Sequence, residues 1–300
     1  MNTPLSPILL FTYNRIHPLR ETIAALKANI HAAESSLFVF SDGAKSPKDD
    51  KAVLEVRNYV DGLKGFKKIS VFESSQNKGL ANSIIEGVTK IINEHGKVIV
   101  LEDDLVSSRN FLSFMNQSLN HYEAYEKVLS IAGFSMPING VSSDAYFTKR
   151  ISSWGWATWK EKWNSVDWAV KDYSSFARDE AARIAFNKMG SDLSGMLDKQ
   201  MRGNINSWAI RWCYHQFKHD LFTVYPAVSK IINVGLGHSD ATHTTERFSR
   251  FKTTLDVSEK TSFSLPGKIE LDPGLISQFI KPYSIPQRIK YKLLNKLINV

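Results

Sequence analysis

The chain has almost no cysteine: Cys213 is the single one among 300 residues, so no intrachain disulfide bond is possible. This scarcity fits a reducing, cytoplasmic location, because disulfide-rich chains belong mainly to oxidising compartments. Residues 1–7 lack the basic segment of a secretory signal, and no apolar run approaches the roughly 18 residues of a membrane-spanning helix. We therefore expect a cytoplasmic protein, soluble or peripheral to a membrane.

The composition excludes disorder as the main state, because 43% of the residues are hydrophobic and only 23% are charged. The formal net charge of +8 leaves three classes of partner open: nucleic acid, a membrane surface, or an anionic substrate such as a nucleotide diphosphate. Part of this excess lies in the final segment, since residues 277–300 include basic side chains and no acidic one.

Short apolar runs at residues 8–11, 37–40, 69–72 and 97–101 predict four buried strands. Segments with apolar residues at helical spacing separate them. This alternation predicts an α/β fold built from right-handed β-α-β units around a mostly parallel sheet flanked by helices. In such sheets ligands bind at the carboxyl ends of the strands, so we expect the functional site there.

Three adjacent carboxylates, Glu102, Asp103 and Asp104, directly follow the fourth predicted strand. They repel one another, and a divalent cation such as Mg²⁺ or Mn²⁺ would offset the repulsion. Because side chains alternate in direction at a strand end, all three cannot face the same ion. The alternative is an exposed helix N-terminus, where acidic side chains complement the helix dipole.

Two further residues lie at predicted strand ends. Asp42, in Ser41-Asp42-Gly43, has the residue type of an ordinary turn, but its carboxylate could also accept a hydrogen bond from a nucleotide base. Arg15, just beyond the first strand, could pair with a diphosphate or cap the neighbouring structure.

The segments 11–15, 41–43, 77–81 and 100–104, taken in that order, resemble bacterial GT-A glycosyltransferases. They are similar in particular to those related to the N-acetylglucosaminyltransferase that begins complex N-glycan branching, a glycosyltransferase family 2-like group. The resemblance covers roughly residues 7–245. It implies a GT-A domain over residues 1–265, with a nucleotide-sugar half up to about residue 130 and an acceptor half after it. Residues 266–300 would form a proline-containing connector and a basic tail.

The resemblance further implies a metal-dependent enzyme that uses Mn²⁺ or Mg²⁺. Such an enzyme moves a hexose or N-acetylhexosamine from a nucleotide-sugar donor, with UDP favoured, to a glycan or lipid-linked acceptor, with inversion at the anomeric carbon. The implied setting is bacterial surface-polysaccharide synthesis at the inner face of the cytoplasmic membrane.

Carried onto this chain, the resemblance implies that Asp104 binds the metal, Asp103 holds the ribose and Glu102 orients the donor sugar. Asp42 would contact the base. The full set of residues expected to bind the nucleotide sugar is Thr12, Tyr13, Arg15, Asp42, Lys78, Glu102 and Asp103.

An aromatic segment containing Trp154, Gly155 and Trp156 resembles the acceptor side of the same family. Tryptophan faces stack on sugar rings, and glycine lets the backbone approach a ligand. We expect these three residues to line the acceptor site; the alternative is ordinary core packing.

The general base is harder to predict, because Ser207 stands where the eukaryotic relative carries its catalytic aspartate. Attack by an acceptor hydroxyl requires a carboxylate or histidine nearby, and Asp198 and Asp240 are the candidates. His243, in a glycine-containing loop, could complete the metal or phosphate site, since neutral imidazole is a good ligand. A simple surface loop is the alternative.

The tail, around residues 285–300, has the pattern of a basic amphipathic helix. Such a helix can lie on an anionic lipid surface or dock on the protein's own sheet.

Two other functions would also use some of these features. A sugar nucleotidyltransferase would need a glycine-rich phosphate loop after the first strand, whereas this chain has Thr12-Tyr13-Asn14-Arg15 there. A nucleic-acid-binding or carbohydrate-binding module would not need the carboxylate triplet, and nucleic-acid binding would need basic residues interleaved with exposed aromatics along one surface. We expect no nucleic-acid partner.

Overall fold

The structure is a computed structural model that describes residues 4–235 and 248–297. It has ten strands in these ranges: β1 Ile8–Thr12, β2 Ser36–Ser41, β3 Lys68–Glu73, β4 Lys97–Glu102, β5 Leu105–Ser107, β6 Val128–Ala132, β7 Ala145–Thr148, β8 Trp156–Trp159, β9 Phe222–Pro226 and β10 Ile231–Asn233.

Eight of these strands form one sheet in the order β3-β2-β1-β4-β8-β6-β9-β7. The first four in this order are parallel to one another. Strand β8 runs antiparallel between β4 and β6, and β7 is antiparallel to β9 at the edge. Strands β5 and β10 pair separately as a small antiparallel sheet. The predicted α/β class with a mostly parallel sheet is confirmed.

The helices of the described ranges are α1 Ile16–Lys27, α2 Asp50–Asp61, α3 Leu80–His95, α4 Phe111–His121, α5 Lys160–Asn164, α6 Tyr173–Arg178, α7 Glu180–Phe186, α8 Leu193–Met201, α9 Trp208–Lys218, α10 Pro273–Ile280 and α11 Ile285–Leu297. Helices α1, α2 and α3 connect the four parallel strands, as β-α-β units require. Gly87 lets α3 approach the sheet closely, because a Cβ there would lie 2.8 Å from the Phe11 ring. Because the four strands are parallel, their carboxyl ends lie along one edge of the sheet.

The C-terminal segment packs on the same core. Phe279 of α10 is completely buried, with its ring 5.0 Å from that of Tyr225 and 6.5 Å from that of Tyr146. The predicted basic tail is helical, as α11. Across the described ranges, no helix combines the length and apolar character needed to cross a bilayer.

Candidate functional site

A cavity of about 430 Å³ opens where β1, β2 and β4 end. We call it the donor cavity, because residues expected to bind the nucleotide-sugar donor line it. It brings together six of the residues expected to bind the donor, and Asp104 with them. Its lining from these strand ends is Thr12, Tyr13, Arg15, Asp42, Glu102, Asp103 and Asp104. Since the carboxyl ends of parallel strands share one edge, segments that lie about ninety residues apart in the chain meet in one cavity.

Arg15 is the central cation of this cavity. Its Nη2 contacts Asp103 Oδ1 and lies 3.0 Å from Asp104 Oδ2. Arg15 begins the turn from β1 into α1, whereas the two aspartates follow β4, which is paired with β1. The ion pairs therefore join the ends of two neighbouring strands. The sequence left open whether Arg15 pairs with a ligand or with the protein, and the structure shows the protein contact.

Asp103 is held in place from several sides. Its Oδ2 accepts hydrogen bonds from Thr12 Oγ1 at 3.5 Å and from the Tyr13 backbone N–H at 3.4 Å. Thr22 Oγ1 of α1 donates to the Asp103 backbone carbonyl at 3.0 Å. Burial raises the pKa of Asp103 to about 6, although Arg15 acts in the opposite direction. Thr12 and Tyr13 thus contribute to the cavity by holding the Asp103 carboxylate in place.

Asp104 differs from Asp103 because one of its carboxylate oxygens has no partner. Among the residues that the structure describes, Asp104 Oδ1 is the one buried carboxylate oxygen without a hydrogen bond. Its backbone carbonyl accepts from the Val234 N–H at 2.9 Å, at the end of β10. A buried acceptor left unsatisfied is costly, so this atom marks a place for a ligand.

Gly235 lies directly against this carboxylate. A Cβ at position 235 would lie 2.3 Å from Asp104 Oδ2, so a larger residue would displace Asp104. The Gly235 N–H donates to Asn233 Oδ1 at 2.9 Å, which fixes the local turn. Asn233 and Gly235 were not predicted to lie in this site, because the pairing of β10 with β5 joins distant parts of the chain.

Glu102 completes the acidic triplet at the last residue of β4. Its pKa is raised well above the usual range by burial and then by the neighbouring charges of Asp104 and Asp103, while Arg15 acts against the rise. The cavity therefore gathers three adjacent carboxyl groups near Arg15, and burial favours the protonated form of Glu102.

The described side chains alone do not provide a complete set of ligands for a metal ion. No group of three or more His, Cys, Asp or Glu side chains within the described ranges is arranged to hold a metal ion. The unpartnered Oδ1 of Asp104 nonetheless suits Mg²⁺ or Mn²⁺, which commonly take few protein ligands and fill the remaining positions with water and substrate phosphate. The residues present fit such a cation if a ligand supplies the other oxygens.

Asp42 organises the loop on the opposite wall. Its Oδ1 accepts from the backbone N–H groups of Gly43 and Lys78, each at 2.9 Å, and its Oδ2 accepts from the Gly79 N–H at 2.9 Å. The carboxylate therefore holds the loop that enters α3. Its predicted contact with a base stays a prediction.

Lys78 requires a correction. Its ammonium group pairs with Glu86 at 2.5 Å, and Lys78 is absent from the lining of the donor cavity. Instead it lines a smaller cavity of about 200 Å³ on the α3 side of Asp42. Its backbone N–H supports the donor cavity through Asp42. Its side chain points away, because Glu86 of α3 offers it an acidic partner.

The aromatic segment divides between site and core. Trp154 lines the donor cavity, but Trp156 is only 1% exposed. The Trp156 ring packs 4.7 Å from Trp212 and 5.0 Å from Trp208. The expectation that Trp156 lines the site is wrong, because β8 lies inside the sheet and turns this side chain toward α9.

Gly155 has a structural role as well. It has φ +60, and a Cβ there would meet Ile231 Cγ1 at 2.6 Å. Glycine at this position thus allows β8 to begin against β10. Gly155 lines neither the donor cavity nor the cavity next to it, and its expected place on the acceptor wall stays a prediction.

A second cavity of about 250 Å³ shares Trp154 with the donor cavity. Arg150 and Asp192 lie in its wall as a buried ion pair, with nitrogen–oxygen distances of 3.0 and 2.9 Å. Tyr283 stacks on the Arg150 guanidinium, 3.8 Å from it to the ring centroid. This neighbouring cavity combines aromatic surface with fixed polar groups.

The candidates for the general base fare differently. Asp198 forms two hydrogen bonds to Arg183, at 2.9 and 2.7 Å, and these lower the pKa of Asp198. It lines neither of the two cavities, so its assignment as a base is corrected to a structural ion pair. Asp240 and His243 lie outside the described residues. Ser207 caps α9 by accepting from the Ile210 N–H at 3.3 Å.

No model of a known protein family matches this chain, and no curated protein matches it. Several solved structures are similar at low identity. A mannosyltransferase from Pyrobaculum calidifontis, in complex with GDP-Man and Mn²⁺, is 14% identical with a TM-score of 0.38; the match covers 53% of this chain and 46% of that one. This chain thus spans less than half of that structure.

Mouse xyloside xylosyltransferase 1 is 12% identical with a TM-score of 0.37, over 72% of this chain and 82% of that one. A UDP-glucose pyrophosphorylase complexed with UDP-glucose is 12% identical with a TM-score of 0.36, over 74% and 90%. Glycosyltransferases and a nucleotidyltransferase thus appear side by side.

Proposed function

We propose that this protein is a metal-dependent glycosyltransferase that moves a sugar from a nucleotide-sugar donor to a glycan or lipid-linked acceptor. One observation carries the proposal: Arg15 bridges Asp103 and Asp104 at the ends of two parallel strands, while Asp104 Oδ1 is buried with no hydrogen-bond partner among residues 4–235 and 248–297. The resemblance of the sequence to GT-A glycosyltransferases supports a nucleotide sugar as the ligand at this edge.

The charges of the cavity favour a diphosphate bound together with a cation. A diphosphate alone would be repelled by Asp104, because the cavity is lined by four carboxyl groups and by only two cationic side chains, Arg15 and Lys45. A divalent ion held by Asp104 Oδ1 would neutralise the leaving nucleotide diphosphate when bound. Arg15 supplies fixed positive charge on the protein side and holds the carboxylates of Asp103 and Asp104 in position.

The other walls of the cavity suit the rest of a nucleotide sugar. Asp103 faces the cavity from a rigid position. In our proposal its carboxylate accepts a hydrogen bond from a ribose hydroxyl. Glu102 and Trp154 line the same space, and they provide a hydrogen-bond acceptor and an aromatic face for the transferred sugar. The backbone held by Asp42 shapes the base end of the cavity.

The remaining features of the proposal rest on the resemblance carried by the sequence. These are UDP as the nucleotide, a hexose or N-acetylhexosamine as the sugar, Mn²⁺ or Mg²⁺ as the cation and inversion at the anomeric carbon. We also propose a role in bacterial surface-polysaccharide synthesis at the cytoplasmic face of the membrane. Asp240 is the proposed base for the acceptor hydroxyl, and His243 a proposed further ligand of the metal or phosphate.

A screen of nucleotide sugars tests the proposal. UDP-, GDP-, CDP- and dTDP-sugars are incubated with the protein and Mn²⁺, and free sugar and nucleoside diphosphate are quantified. We expect slow hydrolysis of one donor, abolished by EDTA and lowered at least tenfold in Asp104→Asn. Asp198→Asn, which removes a carboxylate outside the cavity, is the matched control.

The same screen separates the nucleotidyltransferase alternative. If pyrophosphate converts a nucleotide sugar into nucleoside triphosphate and sugar phosphate, the chain is a pyrophosphorylase and the proposed transfer is wrong. Absence of hydrolysis for all four donors would count against the proposal as well.

A further inference from the structure

Helix α11 is amphipathic, but the side that it turns to the protein carries Arg288 and Asn295, together with Tyr291 and Leu294. Four apolar side chains spaced four residues apart form a stripe on its solvent side. These four, the apolar stripe, are Ile285, Ile289, Leu293 and Leu297, with exposures of 59%, 53%, 54% and 73%. Amphipathic helices of globular proteins normally bury such a stripe.

Polar contacts hold the opposite side of α11 against the protein. Arg288 Nη1 donates to the backbone carbonyl and the hydroxyl of Ser191, each at 3.1 Å. Asn295 Oδ1 accepts from the Phe248 N–H at 2.9 Å, and Asn295 Nδ2 donates to the Phe248 carbonyl at 3.0 Å. These directional bonds fix the rotation of the helix about its axis. The exposure of the apolar stripe is therefore built into the packing.

Positive charge surrounds the apolar stripe. Lys290, Lys292 and Lys296 are exposed on the same helix, and Lys281 is exposed just before it. On a wheel of 3.6 residues per turn, Lys292 and Lys296 lie on one flank of the stripe and Lys290 on the other. Residues 273–297 include no acidic side chain. The surface thus combines apolar contact area with cationic charge.

We propose that α11 docks the protein onto an anionic lipid surface, with the apolar stripe inserted at the headgroup level and the flanking lysines on the lipid phosphates. Apolar area and basic charge are the two features that make a helix bind an interface. A second copy of the chain fits less well, because two such faces would bring like charges together. A membrane offers the opposite charge.

The placement of α11 has a consequence that rests on the proposed function. The helix follows directly after Tyr283, which lines the second cavity beside Trp154. Docking through the apolar stripe would therefore hold this cavity, and the donor cavity next to it, close to the membrane. That geometry suits an acceptor sugar carried on a lipid.

Vesicle binding of the full chain tests the docking. We measure co-sedimentation with vesicles of equal parts phosphatidylglycerol and phosphatidylcholine, and with vesicles of phosphatidylcholine alone. We expect binding to the first and at least tenfold weaker binding to the second, with release at high salt. Ile289→Ser/Leu293→Ser should bind at least tenfold more weakly. Lys292→Gln/Lys296→Gln should lose affinity by about fivefold for each lysine removed.

Matched controls remove equal apolar surface or charge elsewhere. Leu54→Ser/Ile184→Ser changes two residues that are 58% and 61% exposed on other helices, and Lys48→Gln/Lys64→Gln changes two exposed lysines. Both should bind vesicles like the wild type. Circular dichroism shows whether each variant is folded, and nucleotide binding by the same samples reports on the donor cavity independently.

The proposal is overturned if the wild type does not bind the anionic vesicles, or if the stripe variants bind as tightly as the controls do. Light scattering gives a further test. A dimer that the stripe substitutions convert into a monomer, without any binding of lipid, would identify a second copy as the occupant. A loss of nucleotide binding with intact vesicle binding would contradict the proposed function and leave the docking in place.

Discussion

At the donor cavity, single atoms separate the roles of the three acidic residues. Both carboxylate oxygens of Asp103 are engaged by Arg15, Thr12 and Tyr13, whereas Asp104 offers one buried oxygen without a partner in the part of the chain that the structure describes. A carboxylate held at both oxygens is suited to positioning, and one with an unpartnered oxygen is suited to binding a cation. Asp104 is therefore the residue on which metal binding should depend.

Gly235→Ala tests how closely Asp104 must be held. The new methyl group would meet the Asp104 carboxylate, and we expect Mn²⁺-dependent donor binding to weaken about tenfold as the carboxylate moves. Overpacking of this kind costs about 1–3 kcal/mol of stability. Isothermal titration calorimetry and thermal melts measure the two effects.

Gly195→Ala in α8 is the matched control for this substitution. A Cβ at position 195 meets nothing within 4 Å, and alanine favours a helix over glycine by about 1 kcal/mol. This variant should bind the donor normally and melt at the same or a higher temperature. Equal donor affinities in the two variants would show that Asp104 does not need the space at position 235.

Trp154 and Trp156 are expected to behave in opposite ways. Trp156→Ala removes a ring from the core and should lower the free energy of unfolding by about 3–5 kcal/mol. Trp154→Ala, at the half-buried wall shared by the two cavities, should cost less stability but weaken binding of the sugar part of the donor. Chemical denaturation and a comparison of nucleotide with nucleotide-sugar affinity distinguish the two. A stable Trp156→Ala variant would contradict the core assignment.

Among the elements, the first four strands and the three helices between them were predictable from the sequence. Each strand is a short apolar run, and β1 is buried at all five positions. The antiparallel β8 was not predicted, because it pairs with β4 and β6 across long stretches of chain and its apolar residues resemble a binding segment. The position of Trp156 was missed for the same reason.

The same limit applies to single charged residues. That Asp104 and Arg15 would share a site could be predicted from their positions at strand ends. The pairing of Asp198 with Arg183 joins α8 to α7 and depends on how those helices pack, which local sequence does not specify.

Helix α9 carries a histidine that should make stability depend on pH. Burial, followed by the nearby charges of His219 and Lys218, lowers the pKa of His215 from 6.5 to about 4. The folded state thus binds fewer protons than the unfolded state between these values. Stability should fall as the pH drops from 6.5 toward 4, by up to about 2 kcal/mol from this group.

His215→Gln should show a smaller loss of stability over that range in melts recorded from pH 7 to pH 4.5. His17→Gln, at an exposed position of α1, should keep the wild-type pH dependence. If both variants follow the wild-type curve, His215 is not the group that couples folding to protons.

Across the whole molecule, acidic and basic side chains gather on different surfaces. The acidic triplet lies in a cavity at the sheet edge, and the exposed lysines of α11 lie on the surface of a helix. The net charge of +8 therefore does not describe the site, which is locally acidic. A protein that binds an anionic donor at such a site needs a cation, whereas its basic tail is free to meet a different partner.

The organisation into a catalytic domain over residues 1–265 and a connector with a tail stays a prediction. Residues beyond 265 nevertheless contribute to the core, because Phe279 and Tyr283 pack beside β9 and the second cavity. Truncation at residue 265 would expose that apolar surface.

Calorimetric titration of UDP into the protein, with and without Mn²⁺, tests the central claim most directly. We predict binding with Mn²⁺ and binding at least tenfold weaker without it, and we predict that Asp104→Asn removes the effect of the metal while Asp198→Asn retains it. GDP, CDP and dTDP are titrated in parallel, since the nucleotide itself is part of the proposal. No binding of any of the four with Mn²⁺, or equal binding by wild type and Asp104→Asn, would contradict the account.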